Sequence, residues 1–352
     1  MNARCLETLR EDAERVVEAL GARMSALEGA CLLVTGAGGF LCSNLLDAVA
    51  AWNDRRCGAP CRVIAIDNFA SGWPARVAHL AGRPEFRFLR QDVCQPLEIE
   101  GPVDFLVHGA SIASPPAYRA RPLETLDVNV TGTRRCLELA RRGARSMLFL
   151  STSEIYGDPT PDAIPTPESY RGNVSCTGPR ACYDEGKRLG ETLCSIYWRE
   201  FGTPVVIARP FNVYGPGQRL DDGRILPDLM SAALARRPLV LRSDGSPTRA
   251  FCYASDAVRA LLLLLLSDVA GEAVNVGNDQ AECSMAELAE LVREIAGPPP
   301  LEIRREASPD PDYLTDCPQR RCPDLTKLRS RFGYAPEVDL KAGLERLWHS
   351  LR

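Results

Sequence analysis

The sequence predicts an α/β protein: a doubly wound parallel sheet with helices on both faces and a smaller C-terminal lobe. Three observations carry that expectation. Short apolar runs recur at residues 31–34, 63–66, 87–89, 104–108, 146–150 and 205–208, with helical patterns between several of them. A Gly-rich turn, Thr35-Gly36-Ala37-Gly38-Gly39-Phe40, joins the first run to a helix. After Arg209 the alternation loosens, with Gly, Pro and Asp frequent at 215–227 and three prolines at 298–300. The expected division is a helical extension over 1–29, a dinucleotide-binding unit over 30–210, and a mainly substrate-binding lobe over 211–352, interleaved with the sheet.

Residues 1–28 repeat Leu6, Leu9, Ala13, Val16, Leu20, Met24 and Leu27 at three and four, with charges between them. This is an amphipathic helix, to be docked on the body or on a second subunit. The strand at 31–34, its Gly-rich turn and the following helix form the arrangement that offers backbone N–H groups to a pyrophosphate. Gly36, Gly39, Phe40 and Leu41 are the candidate contacts. The second run ends at Asp67, which can accept both ribose hydroxyls and would repel a 2′-phosphate, favouring NAD over NADP. Asn68 beside it and Ala110 after the fourth run are further cofactor-side positions, and Asp92-Val93 is a plausible adenine contact. The unit is thus Rossmann-type. His108 lies on an apolar strand and reads as a core histidine. Ser284 with Glu287 is a capping-box start for a helix through Ile295.

The run at 146–150 delivers Ser151-Thr152-Ser153-Glu154-Ile155-Tyr156-Gly157 to the end of a strand. A helix then opens with Tyr183 and Lys187 on one face at i and i+4. A phenol beside an ammonium is a tunable acid/base, because the positive charge is expected to pull the phenol down from about 10 toward neutrality. Thr152 can bridge that phenol to a substrate alcohol. The only lysines are Lys187, Lys327 and Lys341. With so few, chance would place a Tyr-x-x-x-Lys fewer than ~0.1 times in this length, which weighs against an ordinary helix face.

Composition narrows the class. A chain of 352 residues can bury a full core, and a net charge of -4 gives no hint of nucleic acid or anionic membrane as partner. The 14 cysteines show no pairing or metal grammar: Cys57 and Cys61 are four apart, Cys317 and Cys322 five apart, with only three histidines in the chain. No metal is expected, and free thiols suit a cytoplasmic protein. The N-terminus is too charged for a signal peptide, and the apolar run 261–266 is too short to span a bilayer and reads as a buried helix.

Taken together, the Gly-rich turn, Asp67, the Ser-Thr-Ser-Glu-Ile-Tyr-Gly stretch and the Tyr183/Lys187 pair resemble an extended short-chain dehydrogenase/reductase acting on nucleotide sugars. More narrowly, residues 178–188 (Gly-Pro-Arg-Ala-Cys-Tyr-Asp-Glu-Gly-Lys-Arg) resemble the UDP-glucuronate decarboxylase (UDP-xylose synthase) family. So do Ala113-Ser114-Pro115-Pro116 with Tyr118, Arg209-Pro210-Phe211-Asn212, and Thr248-Arg249-Ala250-Phe251. The likeness runs from about residue 30 to the C-terminus.

That resemblance implies NAD as cofactor, a UDP-sugar as substrate and a homodimer paired through helices at about 123–142 and 183–201. It implies that Tyr183, with Thr152 and Lys187, takes the C4 hydroxyl proton while hydride leaves C4. The resulting β-keto acid loses carbon dioxide. Glu154 is the implied acid/base, Arg321 the implied carboxylate contact or proton-transfer partner, and Tyr118 and Ser153 further carboxylate contacts. Ala113, Arg180, Asn212, Arg249 and Tyr253 match substrate contacts, and Arg224 is a weaker candidate. Two other readings compete: a nucleotide-sugar 4-epimerase or 4,6-dehydratase, and a non-catalytic NAD-binding sensor. Related dehydratases carry Asp where this chain has Ser153, the segment 113–118 argues against an epimerase, and the intact Thr152, Tyr183 and Lys187 argue against a sensor. One departure stands out: the third glycine of the family's Gly-x-x-Gly-x-x-Gly is Cys42 here.

Overall fold

The computed structural model describes every residue except Arg56, Cys57 and Pro311, so the Cys57 half of the Cys57/Cys61 spacing lies outside the described residues. Six strands, β1 (Cys31–Thr35), β2 (Arg62–Asp67), β3 (Phe86–Arg90), β4 (Phe105–His108), β5 (Ser146–Leu150) and β6 (Val205–Pro210), form the central sheet with a seventh, Ala273–Val276. The order is Ala273–Val276, β6, β5, β4, β1, β2, β3, with every neighbouring pair parallel. A parallel sheet needs cover on both faces, and its strands are correspondingly apolar on both. Leu32 and Val34 of β1 pack into one core with Leu45, Val49 and Leu261, while Leu33 enters the opposite core with Cys136, Leu137 and Cys194.

The sheet places the site. The chain moves outward from β1 to β2 and β3, then crosses to β4 on the other flank of β1. That reversal leaves a crevice at the C-terminal ends of β1 and β4, where ligands of such sheets bind. The Gly-rich turn lies there, followed by a helix over Phe40–Arg55. Gly36 has φ +72°, and a Cβ on it would stand 2.6 Å from the backbone N of Ala110. Only glycine allows the turn to lie that close to the end of β4.

The N-terminal helix Ala3–Leu20 is capped by Asn2, whose side chain accepts from Cys5 N at 2.7 Å. It docks on the body, against the helices Phe40–Arg55, Ala254–Leu265 and Leu340–Leu351. The predicted buried helix at 261–266 is the end of Ala254–Leu265, and the Ser284/Glu287 capping box is present at the start of Met285–Ala296. The predicted helix at 123–142 is interrupted: Pro122–Asp127 and Thr133–Ala140 flank a π-turn at Val128–Gly132. The turn carries Asn129, whose side chain lies 3.2 Å from where a Cβ on Gly186 would sit in the helix Ala181–Phe201.

Beyond Pro210 the chain builds a second core from Leu226, Met230, Leu241, Leu288, Val292 and Leu344, and returns to the main sheet only at Ala273–Val276. Three short strands, Glu282–Ser284, Thr248–Ala250 and Arg320–Arg321, bring Arg249 and Arg321 side by side in register.

Candidate active site

A cavity of about 520 Å³ opens at the C-terminal edge of the sheet and runs into the second core. On the sheet side it is lined by Gly36, Gly39, Phe40, Leu41, Thr152, Ser153, Tyr183 and Lys187. On the lobe side the walls are Ala113, Tyr118, Glu154, Arg180, Asn212, Arg224, Arg249 and Arg321. Asn212 sits at φ +36°, with its side chain donating to Ala250 O at 3.3 Å. Arg224 reaches across the mouth to Ala113 O at 3.0 Å.

The catalytic candidates are held by short-range geometry. Thr152 precedes a 3-10 turn over Ser153–Tyr156 and accepts from Glu154 N at 3.2 Å. Its hydroxyl also favours the ionised Tyr183 phenol, against the larger effect of burial. The phenol ring stacks on Tyr118 with centroids 5.2 Å apart and planes within 7°. Lys187 donates to Leu150 O at 2.7 Å and lies 5.1 Å above the Phe149 ring. Behind them Arg209 grips Glu191 through two bonds, at 2.9 and 2.6 Å, and donates to the Tyr156 hydroxyl. This buried network fixes the loop that carries Thr152 and Glu154.

Electrostatics departs from the sequence expectation for the Tyr183/Lys187 pair. Burial pushes the Tyr183 phenol up to about 12, and the charge of Glu154 adds to the rise. Burial likewise lowers Lys187 to about 8. Desolvation penalises both charged forms more than proximity rewards them, so the phenol rests protonated. Glu154 shows the reverse. Arg180 and Arg321 both bind its carboxylate, the latter through two bonds. Their charges hold it well below the usual carboxylate range although burial acts to raise it. Glu154 therefore rests as a carboxylate, not as the protonated acid.

Several predicted residues lie elsewhere. Tyr253 does not line the cavity: it is wholly buried, and its hydroxyl donates to Asp12 Oδ2 at 2.7 Å. The strand Cys252–Tyr253 turns the phenol inward, beneath the N-terminal helix. Asp67 is at the end of β2 as expected, accepting from Gly38 N at 2.8 Å and Phe69 N at 2.7 Å. Asn68 and Asp92 are exposed and cap their own loops, at Ala70 N and Cys94 N. Val93 is packed in the core against Gly132. None of these four, nor Ala110, lines the cavity. His108 is the core histidine expected, bonded to Thr35 and Thr133 and kept neutral by burial at about 3.

Two features escaped sequence reasoning. Asp184 is buried 3.5 Å from Arg180, and burial with the Glu154 charge raises it to about 7. Its place four residues after Arg180 was the available signal. Asp310, Asp312, Tyr313 and Leu314 form part of the cavity wall from an irregular segment that no periodicity marks.

The fold and this site define a dinucleotide-dependent enzyme that oxidises and reduces a hydroxyl-bearing carbon. Residues 32–277 match the model of the NAD dependent epimerase/dehydratase family. The chain is 41% identical over 91% of its length to UDP-glucuronic acid decarboxylase 5 of Arabidopsis thaliana, covering 89% of that protein. It superposes on a dTDP-glucose 4,6-dehydratase from Streptomyces venezuelae solved with NAD bound (TM-score 0.79, 26% identity, 92% and 97% of the two chains). It also superposes on a UDP-glucuronic acid 4-epimerase from Bacillus cereus solved with UDP-glucuronic acid and NAD (TM-score 0.75, 26% identity, 91% and 98%). The chain belongs to the NAD dependent epimerase/dehydratase family, on its UDP-glucuronic acid decarboxylase branch. NAD fits the residues present: Gly36, Gly39, Phe40 and Leu41 of the Gly-rich turn line the cavity at the C-terminal end of β1, and Asp67 ends the neighbouring β2.

Proposed function

We propose that the protein decarboxylates UDP-glucuronate through oxidation at C4, giving UDP-4-keto-xylose, UDP-xylose or both. The observation that carries this reading is the placing of three guanidinium groups, Arg180, Arg249 and Arg321, in the same cavity as the Tyr183 phenol. The uronate carboxylate and the diphosphate of such a substrate are the anions that guanidinium groups bind best.

NAD, when bound, supplies the hydride acceptor and later the hydride donor. Tyr183 Oη takes the C4 hydroxyl proton, with Thr152 Oγ1 holding the oxygen and Lys187 Nζ stabilising the phenolate. Oxidation at C4 leaves the carboxylate β to a ketone, which accepts the electrons as carbon dioxide departs. The enolate is protonated at C5. As the substrate carboxylate competes for Arg321 and weakens its hold on Glu154, the Glu154 carboxyl rises toward the usual range and can take up the proton it then delivers to C5. Ser153 and Tyr118 add hydrogen bonds; the Tyr118 hydroxyl is buried without a partner, ready for an acceptor.

Residues 211–352 supply most of the sugar-nucleotide wall in this reading, and the unit over 30–210 holds NAD. Two copies pair through Pro122–Asp127 and Ala181–Phe201, as Leu123, Leu189, Ile196 and Trp198 expose apolar side chains there. Buried free thiols such as Cys136 and Cys194 suit the cytoplasm. Among the described residues no helix is long and apolar enough to cross a membrane. The test is product analysis after incubation with UDP-glucuronate, with and without added NAD. Carbon dioxide release is expected; conversion to UDP-galacturonate without it would identify a 4-epimerase instead.

A further inference from the structure

The third glycine of a Gly-rich dinucleotide turn lets the helix pack closely on the strands. Here that position is Cys42, in the first turn of Phe40–Arg55 and 3% exposed. Its Sγ reaches the end of β1, donating to Thr35 O at 3.6 Å. The same carbonyl accepts from Gly109 N at 3.1 Å, at the end of β4. A Cβ built on Gly109 would stand only 2.2 Å from Cys42 Sγ. Its other neighbours are more forgiving: Leu150 Cδ1, a side-chain end, at 3.0 Å and Thr35 O at 3.4 Å. Gly109 is not at a positive φ, so its backbone conformation is open to any residue. The thiol, then, is what excludes a side chain at 109.

We infer that Cys42 and Gly109 form a compensating pair, in which the glycine absent from the helix is replaced by one at the end of β4, and that NAD binding depends on the match. Both residues line the cavity beside Gly36 and Gly39. Room for the thiol at 109 lets the first turn of the helix keep its distance from β1, and with it the backbone N–H groups of Phe40 and Leu41. The thiol is also compatible with a diphosphate nearby, since burial raises it to about 12 and it carries no charge.

The test is a double-mutant cycle read by NAD titration calorimetry and thermal unfolding of the NAD-free protein, neither of which depends on the sugar reaction or on the decarboxylase reading. Gly109→Ala should weaken NAD binding by about tenfold or more and lower the melting temperature. In a Cys42→Gly background the same Gly109→Ala change should alter NAD affinity by no more than about threefold. Equal losses in the two backgrounds, or a Gly109→Ala protein that binds NAD like wild type, would overturn the pairing. If Gly109→Ala alone is insoluble, recovery of soluble, NAD-binding protein on adding Cys42→Gly supports it, and continued insolubility refutes it.

Discussion

The two halves of the cavity are tuned by opposite means. Around Tyr183 and Lys187 the walls are strand ends and ring faces, and burial sets the protonation states: phenol up to about 12, ammonium down to about 8. Around Glu154 the walls are guanidinium groups, and ion pairing overrides burial. A buried acid is held protonated on one side and a buried acid is held ionised on the other. Burial alone therefore does not say which way a group shifts; the count of opposite charges within reach decides it. In the proposed reaction the phenol serves as a base only once a further positive charge or a bound hydroxyl enters, which would tie proton removal to ligand binding.

The largest effect should come from breaking the first half. Tyr183→Phe removes the proton acceptor and should cut turnover about 10²- to 10⁴-fold while NAD still binds; unchanged carbon dioxide release would remove Tyr183 from the mechanism. Breaking the second half should register first in stability. Arg321→Ala leaves Glu154 with Arg180 as its direct partner and should cost about 3 kcal/mol in urea unfolding, with a rise in the KM for UDP-glucuronate. A loss of kcat with KM unchanged would place Arg321 away from the carboxylate.

The pH response sharpens the contrast. Lys187 falls from 10.5 to about 8 on folding, so the folded protein sheds that proton first, and the contribution to stability rises between those values. Asp184 climbs from 3.8 to about 7, so the folded protein holds its proton longer. That contribution is complete below 3.8 and is lost as pH rises through 7. Asp184→Asn should flatten the stability profile between those two values, measured by denaturant titration at several pH values, and an unchanged slope would count against a raised Asp184. The smallest effect concerns neither half. Tyr253→Phe should cost about 1 kcal/mol of stability through its bond to Asp12 and leave the KM for UDP-glucuronate unmoved; a large KM change would return Tyr253 to the substrate site.

Legibility followed the range of the interaction. The strand–turn–helix from Cys31 to Arg55, Asp67 at the end of β2, the Tyr183/Lys187 spacing and the Ser284/Glu287 cap are local, and each is written in contiguous residues whose geometry repeats wherever the pattern does. The same holds for His108, because an apolar run around a histidine already implies a neutral ring. Those residues determine an NAD-binding α/β fold and put a phenol and an ammonium on one helix face at the cavity. Tertiary structure decided what depends on distant partners: Glu154 meeting Arg321 across 167 residues, Tyr253 turning to Asp12 across 241, and Cys42 finding its space at Gly109. It also decided the direction of each proton equilibrium. Desolvation and Coulomb attraction act through space, so a charge's neighbours in the chain do not reveal its neighbours in the fold.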